Sequence, residues 1–223
     1  NEFLNDDMHD ISTGSFTVSV SDGGYKENGG MQTRAIMDEN PTFIAGDQIG
    51  LFAVENKNVL DDIQNLCLTA VDDGKEGIYW EVENGYGLMR EDITYFAYFP
   101  YQADFNDQYS CYSAEEQASD FFFDLIDGFT INVDQGTYDK YKTCNLMVAK
   151  GSIINKKLLF TMEHQTSLQI LDVPDGTRFM NCSPYPGSDG RYYYMFSYSA
   201  VVLGEHTNAA GVLVRWKAII DNL

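Results

Sequence analysis

Phe16-Thr17-Val18-Ser19-Val20-Ser21-Asp22-Gly23-Gly24 alternates large apolar with small polar side chains and then stops at a pair of glycines. Successive side chains on a strand point to opposite faces. The spacing therefore predicts a half-buried strand over 15–20, with Phe16, Val18 and Val20 inward and Thr17 and Ser19 outward. The same period returns in Ile78-Tyr79-Trp80-Glu81-Val82 and in Phe129-Thr130-Ile131-Asn132-Val133. Residues 49–54, 93–99 and 158–162 are apolar on both faces, as inner strands covered on two sides are. Further strands are expected over 66–71, 121–126, 146–149, 167–173, 192–203 and 212–219.

Helical signals are few. Ser113-Ala114-Glu115-Glu116 fits a capping box, with room for only one or two turns after it. Turn clusters such as Asp73-Gly74, Asp127-Gly128, Asp175-Gly176 and Pro186-Gly187-Ser188-Asp189-Gly190 separate the strands. About a dozen strands at this spacing, with almost no helix, predict an all-β fold of antiparallel sandwiches.

Two segments break the pattern. Residues 21–34 contain four glycines and few apolar side chains, so the strand at 15–20 hangs on a tether. Residues 174–190 hold three of the five prolines and three glycines, which suits a link to a second module. The expected organisation is an N-terminal strand and tether over 1–34, a β-sandwich over 35–173 and a short β module over 174–223. Some 35 to 50 residues are marginal for a sandwich standing alone.

Composition limits what such a fold can do. The 223 residues are 44% hydrophobic and 22% charged, enough apolar material for a core. Acids outnumber bases 34 to 14, for a formal net charge of −20. That field repels phosphate backbones, and no basic stripe overrides it, so nucleic acid is excluded as a partner. No apolar run reaches the roughly eighteen residues of a membrane-spanning helix, and the acidic start lacks the features of a signal peptide.

The chemistry-bearing residues form no reaction set. No G-x-S-x-G elbow is present, and three residues on a strand separate His164 from Ser167 onto opposite faces. His9, His164 and His206 are the only histidines, and none has a second at metal-ligand spacing. His164 is expected to pack or hydrogen-bond at a sheet edge. Asp72-Asp73-Gly74 lacks the ligand alternation of a calcium loop and reads as a solvated turn. The sequence thus supports no catalytic residues, no metal site and no cofactor, and the chain is read as a non-enzyme. Cys67, Cys111, Cys144 and Cys182 include no C-x-x-C pair, and spacing leaves three disulfide pairings or free thiols open. The 15 Tyr, 14 Phe and 2 Trp are the unusual feature. They suit either a core with amphipathic rims or an exposed sugar-stacking face in which Trp80 and Tyr101 would take part.

Three ordered segments carry a family resemblance. They are Thr33-Arg34-Ala35 with Phe43-Ile44-Ala45-Gly46-Asp47-Gln48-Ile49-Gly50-Leu51-Phe52-Ala53, the aromatic run Ile93-Thr94-Tyr95-Phe96-Ala97-Tyr98-Phe99-Pro100-Tyr101, and Asn145-Leu146-Met147-Val148-Ala149 followed by residues 159–168. Together they resemble Bacteroidetes-type fimbrillins, the Mfa-like and FimA-like major fimbrial subunits. The resemblance implies transthyretin-like β-sandwiches and a role as pilus subunit or adhesin. It also implies export as a lipoprotein and outer-membrane anchoring through a cysteine, which would lie upstream of Asn1. The partners it implies are other pilus subunits joined by strand addition, with a host protein or glycan as a further class. In that family, cleavage after an arginine removes the first strand, and a neighbour's strand fills the groove. Arg34 and Ala35 match the processing position here, and Phe16, Val18 and Val20 would mark the exchangeable strand. The alternative function is a carbohydrate-binding surface module of a glycan-utilisation system.

Overall fold

A computed structural model describes residues 17–25, 43–72, 74, 77–82, 90, 92–111 and 117–221. Phe16, Arg34, Ala35 and the capping box at 113–116 lie outside the described residues. The described residues form one large sheet followed by two small ones, so the all-β expectation holds.

The large sheet contains β1 (Thr17–Asp22), β2 (Gln48–Glu55), β3 (Asn58–Val59), β4 (Leu66–Asp72), β5 (Ile78–Val82), β6 (Thr94–Phe99), β7 (Met147–Lys150), β8 (Ser152–Ile154) and β9 (Lys157–His164). Its strands run in the order β1-β9-β7-β6-β2-β4-β5, with β3 on β2 and β8 on β9. All of its pairings are antiparallel except that of β1, which lies parallel to β9. The two end strands β1 and β5 approach each other, so the sheet curls round to enclose its inner face. That face buries Val18, Ile49, Leu51, Leu68, Trp80, Phe99, Leu158 and Phe160 in one cluster.

The middle strands are buried on both sides, as their unbroken apolar runs predict. Their outer face is covered by four-to-six-residue helices α1 (Phe105–Gln108), α2 (Ala118–Phe121) and α3 (Phe123–Gly128). Phe52, Phe96 and Tyr98 from the sheet pack there against Phe105, Phe121, Phe122 and Leu125 from the helices. Phe96 and Phe121 stack with centroids 4.2 Å apart. In β9 the pattern is one-sided instead: Leu158, Phe160 and Met162 are buried while Thr161 and Glu163 are exposed.

Two expected strands are not strands. Residues 121–126 turn into α2 and α3, because Phe121, Phe122 and Leu125 share the buried side while Phe123 is exposed. That is a helical spacing, hidden in sequence by three consecutive phenylalanines. Residues 129–133 have no ladder partner among the described residues; Val133 is exposed and its carbonyl accepts from the Ser183 N–H. Helix α4 (Tyr138–Thr143) follows, capped by Thr137, whose hydroxyl accepts from the Lys140 N–H.

The remaining strands are β10 (Ser167–Leu171), β11 (Arg178–Phe179), β12 (Tyr185–Pro186), β13 (Tyr192–Phe196), β14 (Ser199–Thr207) and β15 (Leu213–Asp221). They make two three-stranded sheets, β10-β13-β12 and β11-β14-β15, around a core of Leu171, Tyr194, Phe196, Val202 and Ile220. The expected single strand over 192–203 is thus a corner, with β13 in one sheet and β14 in the other. The change of sheet comes between His164 and Ser167, and β10 pairs with β13. The β10-β13-β12 sheet also packs against the segment that precedes it. Tyr141 and Cys144 pack against Tyr193 and Met195, and Gln135 bonds both the N–H and the carbonyl of Met195. All four cysteines are free thiols.

Candidate strand-exchange site

Among the described residues, strand β1 is an end strand, joined by its backbone to β9 alone. Its register runs from Thr17 opposite Lys157 to Asp22 opposite Met162. Val18 is 3% exposed and lies in the main core, and Val20 packs beside it half-buried, while Thr17 and Ser19 face solvent. The alternation read from sequence is therefore present over the described part of the strand. Two valines at about 1.5–3 kcal/mol each for full burial make a modest apolar hold.

The C-terminal end of β1 is held by polar contacts. The Gly23 N–H donates to the Met162 carbonyl at 2.8 Å, one residue beyond the ladder. A Cβ at position 23 would stand 2.6 Å from that carbonyl oxygen, so glycine is required for the approach. Gly24 then turns with φ +75°, and its N–H donates to Asp22 Oδ1 at 2.6 Å. The same carboxylate oxygen lies 2.7 Å from His164 Nε2, and His164 Nδ1 lies 2.7 Å from Asn145 Oδ1. His164 is thus the link between the end of β1 and the start of β7. Its side chain is 3% exposed.

Tyr25 completes the arrangement. Its ring stacks on His164 with centroids 3.8 Å apart and planes at 18°. Its hydroxyl donates to Asn145 Oδ1 at 3.2 Å and lies 3.7 Å from Met195 Sδ. Burial pushes the Tyr25 phenol well above its ordinary range, with Tyr141 and Asp22 adding to the shift. It therefore stays a neutral donor.

Sequence reading found Val18 and Val20 but not this anchor. The clue was present in Asp22-Gly23-Gly24-Tyr25, an aspartate turn delivering an aromatic just after an alternating strand. His164 does hydrogen-bond near the edge of the sheet, as expected. Of the two residues named for a sugar-stacking face, Trp80 is 6% exposed and packs edge-on to Phe43 at 5.4 Å. Tyr101 is half-buried against the helical layer. Among the described residues no group of three or more His, Cys, Asp or Glu side chains could hold a metal ion. No helix among them is long and apolar enough to cross a membrane.

No protein-family model matches the chain. Over 148 residues, 62% of the chain, it is 29% identical to a Bacteroides ovatus protein provisionally named fimbrium tip subunit Fim1C. The match spans 25% of that relative's length. Its fold is similar to a crystal structure of a fimbrial protein from Bacteroides ovatus, with TM-score 0.64, 20% identity, and 93% and 45% of the two chains covered. It is also similar to a protein of Bacteroides uniformis provisionally named for cell adhesion, with TM-score 0.52, 14% identity, and 92% and 84% covered. The chain is related to a fimbrial protein by sequence and shares its fold with fimbrial and cell-adhesion proteins of Bacteroides.

Proposed function

We propose that this chain is a structural, non-enzymatic subunit or adhesin of a cell-surface fimbrium, and that β1 is its exchangeable strand. Cleavage between Arg34 and Ala35 would disconnect β1 from the body, and a strand from a neighbouring subunit would take its place. The observation that carries this reading is the attachment of β1: one backbone ladder, two inward valines and a polar anchor at its end. Withdrawing it would bare the unpaired edge of β9 and an apolar groove beside Trp80, which another extended chain can satisfy by strand addition. The sequence relationship to a fimbrium tip subunit supports the same reading. Location at the cell surface, with an outer-membrane lipid anchor, follows from it as part of the proposal.

Limited trypsin digestion followed by mass spectrometry and size-exclusion chromatography tests it. Arg34 is the only basic residue between Lys26 and Lys57. Expected is early cleavage after Arg34, a body that stays folded but melts lower, and association once the 1–34 segment is lost. Resistance at Arg34 while Lys26 and Lys57 are cut freely would reject the processing step. A cleaved body with unchanged stability and no association would reject the exchange.

A further inference from the structure

Tyr25 is the last described side chain that the N-terminal segment carries into the body, and it sits where the two modules meet. His164 and Asn145 belong to the first module, and Met195 lies on β13 of the second. Asn145 is 5% exposed and Met195 1%, so the walls are buried. Tyr141 packs in the same cluster, is 4% exposed, and has a buried hydroxyl without a hydrogen-bond partner among the described residues. Any cut after Tyr25 that releases β1 takes this ring out as well. What remains is a flat slot with an imidazole face on one side, an amide oxygen and a thioether at its end, and an unsatisfied phenol in its wall.

Such a slot is selective on physical grounds. A water-filled gap would leave the His164 face without its stacked ring, while an aliphatic side chain would leave Asn145 Oδ1 without its tyrosine donor. A flat ring with a hydroxyl at its far end satisfies both.

We propose that this slot is a recognition site for a tyrosine carried by the strand that replaces β1. The inference rests on the strand-exchange reading above and names the chemistry of the partner. Spacing is set by the resident segment: Val18 and Val20 fill the groove, Asp22 meets His164, Gly23 and Gly24 make the turn, and Tyr25 enters the slot. A fitting donor is therefore an extended segment with two alternating apolar residues, then an acidic acceptor two positions on, a tight turn, and a tyrosine five positions after the second apolar residue. Strands with the apolar alternation alone would fill the groove and leave the slot empty, so the slot distinguishes correct subunits from other alternating strands.

The test uses the full chain nicked after Arg34, or after a protease site engineered at that position, with the 1–34 segment still docked. Fluorescent peptides of residues 15–25 compete with the resident segment, and bound peptide is read by anisotropy. The native peptide is expected to displace it. Tyr25→Phe should need about 3- to 10-fold more peptide, for the lost hydrogen bond, and Tyr25→Ala about 10- to 100-fold more, for the lost ring. A peptide with Gly24 and Tyr25 exchanged should behave like Tyr25→Ala. If the native, Ala and exchanged peptides compete equally while a Val18→Asp peptide fails, strand exchange stands and the slot proposal is overturned. If no peptide displaces the segment, or Val18→Asp competes as well as the native one, strand exchange falls and the slot with it.

Discussion

Asp22 and His164 stand 142 positions apart in the chain, and Asp22 Oδ1 lies 2.7 Å from His164 Nε2. This contact, with the Tyr25 ring stacked on the same imidazole, fixes the end of β1 on the body. Asp22→Ala removes acceptors for both His164 and the Gly24 N–H, and should destabilise β1 docking by about 1–3 kcal/mol. Hydrogen exchange should show faster exchange of the β1 amides while β2 and β6 keep their protection. Uniform loss of protection across the sheet would mean that β1 and the body unfold together.

Val18→Ala should cost on the order of 1–2 kcal/mol, since the side chain is 3% exposed. Val18→Asp should cost more, because it places an unpaired carboxylate against Leu158 and Trp80 in the core cluster. Thr17→Asp, on the solvent side, should change little. Thermal melts of the three variants check the inward and outward assignment.

Gly50 lies opposite Tyr98 in the β2–β6 ladder, and a Cβ there would stand 2.0 Å from the ring. The ring cannot retreat, because the Tyr98 hydroxyl donates to Asn65 Oδ1 at 2.8 Å and accepts from the Gln102 N–H at 3.0 Å. Gly50→Ala should therefore destabilise by about 1–3 kcal/mol. In Tyr98→Leu the same glycine change should cost much less, a coupling that urea denaturation of the double-mutant cycle will read.

Buried phenols give the fold a limit in alkali. Burial pushes Tyr194 up to about 12, and burial together with the hydrogen bond to Asp189 pushes Tyr193 up to about 12. Burial raises Tyr98 and Tyr141 as well. A raised folded pKa means the neutral phenol is the stabilised form. Its contribution is complete below about pH 10 and is lost as pH rises through about 12. Absorbance at 295 nm should show the exposed tyrosines ionising near pH 10 and the buried ones only with loss of near-UV circular dichroism. Asp189 works in the opposite sense: hydrogen bonds from Tyr193 and the Arg191 N–H, with the Arg191 guanidinium beside it, hold it down at about 2. Its contribution is present above about pH 4 and lost as pH falls through about 2.

Alternation and two-sided burial were legible because each follows from one residue's neighbours in sequence. Val18, Ile49–Val54 and Thr94–Phe99 could be read that way. Residues 121–126 were misread because Phe121-Phe122-Phe123 suits either period, and only the helical layer over Phe52 and Phe96 decides between them. The corner at Ser197-Tyr198 was missed because both flanking strands have the same pattern, although they belong to different sheets. The anchor of β1 was illegible for another reason: Asp22 and Tyr25 are far in the chain from Asn145, His164 and Met195 and meet them only once it has folded.

The parallel alignment of β1 on β9 also governs symmetry. The strand and the edge that receives it are different surfaces, and the residues on one are not those on the other. A contact in which one copy gives a strand and the next receives it is heterologous. It lacks the self-complementary patch on which a two-fold dimer closes. In the proposed exchange each added copy would present a fresh acceptor or a fresh donor, so growth would have a direction and the two ends would be unlike. The ladder from Thr17–Lys157 to Asp22–Met162 sets the polarity and register that a strand replacing β1 would take if it follows the resident one.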